Sequence, residues 1–147
     1  MKIRSSFVLS PAQDDVFAAL VDSDLLRRCI PGCEELTKIG EDVYTARLKI
    51  GVAGLEGSYS GKAELRDKHP PESFTLAFDG KGGPGFVRGV AVICLSAEAT
   101  ATATRVTCEA DIQVGGLIAA VGSRFIDATA RKLADDFFRR LAEEIDR

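Results

Sequence analysis

Apolar residues recur at gaps of mostly three and four from Leu117 to the end of the chain: Leu117, Ile118, Val121, Phe125, Leu133, Phe137, Leu141 and Ile145. This spacing puts them on one side of a helix. The charged residues Arg124, Asp127, Arg131, Asp135, Asp136, Arg139, Arg140, Glu143 and Glu144 fill the other side. The pattern predicts one amphipathic helix over 117–147, roughly 40 Å long. The preceding residues read differently. Tyr44, Ala46, Leu48 and Ile50 alternate with Val43, Thr45, Arg47 and Lys49, and Leu55, Gly57, Tyr59, Gly61, Ala63 and Leu65 alternate with mostly charged or hydroxylated neighbours. Period two with one packed and one wet side predicts antiparallel strands. Phe74, Leu76 and Phe78, then Val106, Cys108, Ala110, Ile112 and Val114, continue the inward face. Val90–Leu95 is apolar on both faces, so its outward Val90, Val92 and Cys94 call for a loop or another subunit; a homodimer through this face would supply the cover.

The first residues predict a strand over Lys2–Leu9. Ser10-Pro11-Ala12-Gln13 then predicts a helix start, with Ser10 as N-cap, Pro11 at the first turn and Gln13 closing a capping box. Val16, Phe17 and Leu20 would be its buried side. Asp22 caps a second short helix carrying Leu25, Leu26 and Ile30, which Pro31-Gly32 ends. Strand, two short helices, several strands and a closing helix make an α+β plan in a single domain, 1–147: a curved antiparallel sheet of six to seven strands wrapped around the C-terminal helix. Gly115, Gly116 and Gly122, with Ala119, Ala120, Ala128 and Ala130, leave the first half of that helix thin in side-chain volume. It is either packed close to the sheet or roofs a cavity.

Composition narrows the function. The 147 residues are 46% hydrophobic and 28% charged, with net charge −3 and a pI near 5.2, a globular balance without the basic stripe that nucleic acid requires. Met1–Ser6 lacks a signal-peptide core and no apolar run could span a bilayer, so the expected location is the cytoplasm. Four cysteines and one histidine offer no metal-ligand spacing, and no metal is expected. Gly80-Lys81-Gly82-Gly83-Pro84-Gly85 matches G-x-G-x-x-G literally, but strand-forming residues follow instead of a helix, so it reads as a glycine loop between strands, able to act as a lid tipped by Phe86. His69 stands beside two prolines, which favours a solvated turn over a nucleophile's base. Tyr44 and Tyr59 face inward, bonded either to backbone or to a ligand carbonyl. No catalytic residue is singled out.

Cys29-Ile30-Pro31-Gly32-Cys33-Glu34, the glycine-rich hairpin and a terminal helix that opens Gly115-Gly116-Leu117 and continues with Gly122, Phe125-Ile126, Lys132-Leu133 and Phe137-Phe138 together resemble the G-subunit family of carbon monoxide dehydrogenase, over Ile3 to Leu141. The resemblance implies the helix-grip fold of the START/polyketide cyclase-like superfamily, with a hydrophobic ligand cavity between sheet and helix. Its lining would come from Tyr44, Leu48, Leu55, Tyr59, Phe74, Phe78, Phe86, Ile112, Leu117, Val121 and Phe125. It further implies a non-catalytic accessory protein that partners molybdenum hydroxylase subunits, with a quinone or other apolar molecule as ligand and a role in coupling the enzyme to the respiratory membrane. Members often carry a C-terminal hydrophobic extension; this sequence stops at Arg147, so peripheral membrane contact is the expectation. Cys29, Pro31, Gly32 and Cys33 carry the family motif, the thiols packing the helix-to-strand turn or doing redox work. A small cyclase- or hydrolase-like enzyme on the same fold, needing a polar pair such as Tyr59 with a carboxylate or Arg, and a pure assembly factor are the alternatives.

Overall fold

A computed structural model describes residues 1–52, 54–99 and 102–145. In chain order the elements are β1 (Lys2–Leu9), α1 (Gln13–Leu20), α2 (Ser23–Cys29), β2 (Cys33–Gly40), β3 (Val43–Ile50), β4 (Gly57–His69), β5 (Ser73–Gly82), β6 (Gly85–Ala97), β7 (Thr104–Gly116), a 3₁₀ turn (Leu117–Val121) and α3 (Ser123–Ile145). The strands form one antiparallel sheet in the order β1-β7-β6-β5-β4-β3-β2. Only β1 lies beside a strand distant in sequence; the helical pair carries the chain from one edge of the sheet to the other. The alternation in the sequence does not reveal β2. It is an edge strand with mostly exposed residues, so it offers no period to find. The Ala97–Thr104 connection includes Thr100 and Ala101, outside the described residues, as are Asp146 and Arg147 of the expected helix end.

Register sorts the faces. The pairs Leu65 with Leu76, Phe74 with Ile93, Ala91 with Ala110 and Phe7 with Val106 place every inward residue of the alternating pattern on one concave side. α3 crosses that side. Phe138 stacks on Phe7 with ring centroids 4.2 Å apart, Phe17 meets Phe74 edge-on at 5.7 Å, and Leu141 is fully buried. Burial of side chains this size stabilises by about 1.5–3 kcal/mol each. Thr104, also fully buried, donates its Oγ1 hydrogen to the Pro11 carbonyl at 2.8 Å, so the polar atom is satisfied where β7 passes under α1.

Three expectations change. First, the terminal helix is not continuous. Gly122 adopts φ +93°, ψ 150°, so a 3₁₀ turn and α3 meet at a break. The tighter turn and the extended glycine shift the helical phase. Ile118, Ile126, Thr129, Phe138 and Leu141 are the buried set, whereas Leu117 is 72% exposed and Phe125 38%. Second, no capping box opens α1. Its N-cap is Ala12, without a side-chain bond, and Gln13 instead donates from Nε2 to the carbonyls of Pro71 and Leu95 at 2.8 and 3.1 Å. Tertiary partners outbid the local one. Asp22 does cap α2, accepting from the amides of Asp24 and Leu25. Third, the glycine stretch is not a loose loop. Gly80, Lys81 and Gly82 belong to β5 and Gly85 to β6, leaving a tight turn at Gly83-Pro84.

Pro31-Gly32 is built for its position. Gly32 sits at φ +76°, its carbonyl accepts the Lys49 amide at 2.8 Å, and a Cβ there would collide with the Lys49 carbonyl oxygen. Gly122 also needs positive φ, but a Cβ on it would meet nothing within 4 Å. Gly32→Ala is expected to lower the unfolding free energy by more than Gly122→Ala, whose backbone strain alone costs about 1–3 kcal/mol; urea titration of both variants checks the order.

Candidate functional site

Two clusters of buried apolar side chains lie on the concave side. The larger joins α1, the second half of α3 and the middle of the sheet; Tyr44 and Phe74 are in it and Phe78 packs on it. The smaller consists of Leu55, Ile118 and Ile126, with Ile50, Tyr59, Val114 and Val121 against it. It occupies the space directly beneath the 3₁₀ turn, where the thin helical half was expected to roof a cavity. The opening lies at the flank. A cleft of about 470 Å³, open to solvent, runs along the edge of β7, with Ile112 and Val114 on its sheet wall, Ala119, Ser123 and Ile126 on its helical wall, and Met1, Phe86 and Gln113 around them.

The edge of β7 explains the cleft. Met1 and Ile112 exchange backbone hydrogen bonds at 2.6 and 2.8 Å, the last such pair between β1 and β7. Beyond it, among the described residues, β7 pairs with β6 alone. Because ladder bonds alternate along a strand, the N–H and C=O of Val114 point the same way as those of Ile112, out from the open edge. The cleft therefore has apolar walls, one backbone donor and one acceptor at its rim, and the Ser123 hydroxyl opposite.

A second concavity of about 510 Å³ lies on the other face of the sheet. It is bordered by Lys62, Glu64, Arg66, Asp79, Arg88 and Asp111; Arg66 reaches Glu64 at 3.0 Å, the Met1 ammonium lies 3.8 Å from Asp111, and Arg88 donates to the Gln113 side-chain oxygen at 3.1 Å. Its chemistry is that of a solvated polar sheet surface. On the same face Val90 and Val92 are each 43% exposed and Cys94 is exposed; no described loop of the chain covers them.

The predicted lining residues do not form one surface. Phe86 and Ile112 border the cleft; Leu55, Tyr59 and Val121 belong to the small cluster behind it; Tyr44, Phe74 and Phe78 belong to the main core; Leu48 is half-buried on β3; Leu117 and Phe125 face solvent. Sequence reasoning missed Val114, Ser123 and Ile126 as lining; Ala119 it named only within the thin half that could roof a cavity. Periodicity marks Val114 and Ile126 only as strand and helix packing; the break at Gly122, which separates the turn from α3, has no signal except the glycine itself. Tyr59 donates its hydroxyl hydrogen to the Leu55 carbonyl at 2.7 Å, and burial pushes its pKa up. The backbone thus engages the hydroxyl, and no carboxylate or Arg pairs with it among the described residues. His69 is exposed at the end of β4.

Cys29 is fully buried in the main core and Cys33 half-buried at the start of β2, and burial raises both thiol pKa values, with Glu144 adding to the effect at Cys29. A raised pKa depletes the reactive thiolate. Cys108 is raised furthest, to about 11, mainly by burial.

One concave sheet, a long helix across it and an apolar cleft where the two part make a helix-grip fold. Residues 6–146 match the CoxG family, named for the G subunit of carbon monoxide dehydrogenase, and the chain belongs to that family. Among solved structures, it is similar to a conserved protein from Geobacillus kaustophilus at 37% identity, covering 99% of this chain and 95% of that one with a TM-score of 0.95. The fold alone is shared with a START superfamily protein from Mycobacterium smegmatis (8% identity, 99% and 97% covered, TM-score 0.75). The same holds for the Zhui aromatase/cyclase from Streptomyces sp. R1128 (15% identity, 100% and 94% covered, TM-score 0.71). No curated protein matches the chain significantly.

The thiols give a pH test. A thiol held neutral in the folded state but free to ionise when unfolded takes stability away as pH rises from about 9 to 11, because the unfolded chain then binds fewer protons. Unfolding free energy should fall over that window, and Cys108→Val should flatten the fall; urea titrations at pH 8 and pH 10.5 measure both. At neutral pH a maleimide should label exposed Cys94 first in the native protein and reach Cys108 only after denaturation.

Proposed function

We propose that this chain is a non-catalytic accessory protein of a molybdenum hydroxylase of the carbon monoxide dehydrogenase type, and that it carries an apolar ligand of the quinone or lipid class in the cleft between β7 and the start of α3. The observation that carries the reading is the cleft itself: apolar walls on both sides and an unpaired strand edge at the rim. Quinones are flat apolar rings with carbonyl oxygens. The Val114 N–H suits one such oxygen, and the Ser123 hydroxyl can donate across the ring, while Ile112, Val114 and Ile126 replace water against its faces. Family membership supports the partner class, and the START and cyclase-like architecture supports a small apolar molecule over a polar one. The protein works inside the cytoplasm on this reading, handing ligand between its enzyme and the respiratory membrane.

The cyclase-like alternative rests on the shared fold. Its required polar pair would have to come from groups other than Tyr59, whose hydroxyl already bonds Leu55.

Ala119 lines the cleft yet is exposed, so it can be enlarged without disturbing the core. Mass spectrometry of an organic extract of native protein is expected to show a quinone or lipid. Uptake of added menaquinone should drop at least about tenfold in Ala119→Trp, with the thermal midpoint unchanged; extracts free of apolar ligand together with no uptake by the parent protein would overturn the carrier reading.

A further inference from the structure

Four residues interlock at the rim of the cleft. Register sets Phe86 opposite Gly115 and Arg88 opposite Gln113, all on the outer face of β6 and β7. The Phe86 ring lies across Gly115 so closely that a Cβ there would overlap its carbons. Arg88 sits over the same ring at 5.1 Å, and its Nε donates to the Gln113 side-chain oxygen at 3.1 Å. That bond goes to Gln113 and not to Asp79, which stands across from Arg88 on β5. Asp111, on the same face of β7 as Gln113, lies 3.8 Å from the Met1 ammonium. A guanidinium only donates, so the amide atom turned toward Arg88 must be the oxygen. The Gln113 NH2 group is thereby turned away from Arg88, and it has no protein acceptor among the described residues. Gln113 borders both the cleft and the concavity on the outer face, and Phe86 borders the cleft beside it.

We propose that Gln113 selects the ligand of the cleft, favouring a flat ring with carbonyl oxygens, and that Arg88 is the positioning residue that keeps the amide donor-outward. The inference rests on the carrier reading and narrows its quinone-or-lipid ligand to the quinone class. With its oxygen engaged, the Gln113 amide offers the cleft donors only. Together with the Val114 N–H it puts donors on the sheet side, and the Ser123 hydroxyl stands on the helical side. Donors on both walls call for acceptors at two ends of one molecule, as in a 1,4-quinone. A fatty acid carries its oxygens at one end. A bare hydrocarbon ring strips water from the donors and returns no bond, which is how a polar site rejects an apolar analogue.

The test is equilibrium dialysis of the full chain against 2,3-dimethyl-1,4-naphthoquinone, 2,3-dimethylnaphthalene and palmitate. The first two share an outline and differ in the carbonyl oxygens. The parent should prefer the naphthoquinone to the hydrocarbon by at least about tenfold, and Gln113→Leu should cut that preference about fivefold, the worth of one hydrogen bond. Arg88→Leu should shift the ratio the same way. Arg88→Lys, which keeps a donor for the amide oxygen, should restore it, a rescue that a merely structural role would not show. Both side chains are exposed, so thermal midpoints should not move. A parent-like ratio in Gln113→Leu overturns the proposal and leaves the carrier reading standing. Palmitate held more tightly than the naphthoquinone also overturns it, with a lipid as the cargo. A folded parent that binds none of the three probes overturns the carrier reading and this inference with it.

Discussion

Everything in this molecule follows from covering a wide sheet with few helices. Seven strands at about 4.8 Å spacing make a surface roughly 30 Å across, while a helix with its side chains is about 10 Å wide. The apolar face must be removed from water, yet only α1, α2 and α3 are available. The sheet solves the shortage by curling, so that Leu65, Phe74, Ile93 and Val106 converge on Phe17, Phe138 and Leu141. The solution is complete at one end only. At the other, a 3₁₀ turn replaces the helix, Ile118 and Leu55 fill the middle, and the flank along β7 stays open.

The fold was legible because its two periods are clean. Strand β1 runs over the predicted residues, β3 likewise, and the inward sets of β4 and β7 share one face as the alternation required. Asp22 announced α2 because a cap is a local interaction. Where the outcome depended on distant partners, local signals misled. Gln13 looks like half of a capping box until Pro71 and Leu95 offer it carbonyls from across the structure. Strand β2 is hidden because one side chain in eight, Leu36, does most of its packing.

The site was less legible for one reason: phase. Read as a continuous helix, 117–147 puts Leu117 and Phe125 with the core. Within α3, at about 100° per residue, Phe125 stands about 160° around the helix from Leu141 and Ile126 only about 60°, so Ile126 is the buried one; the break at Gly122, φ +93°, separates the turn that carries Leu117 from that phase. Alternation correctly placed Tyr44, Tyr59, Phe74 and Phe78 inward, but it does not say which inward residues pack on each other and which border open space. That distinction is set by where β1 stops pairing with β7.

The unequal size of the two clusters has a thermodynamic meaning. Fifteen buried residues anchor one end of the molecule and three anchor the other. Local opening draws on the regions with least buried apolar contact. Amide protons around Ile118 and Ile126 should therefore exchange through excursions far smaller than global unfolding, while those near Leu141 wait for the whole chain to come apart. Such breathing would let one end loosen and reclose while the rest of the chain stays folded.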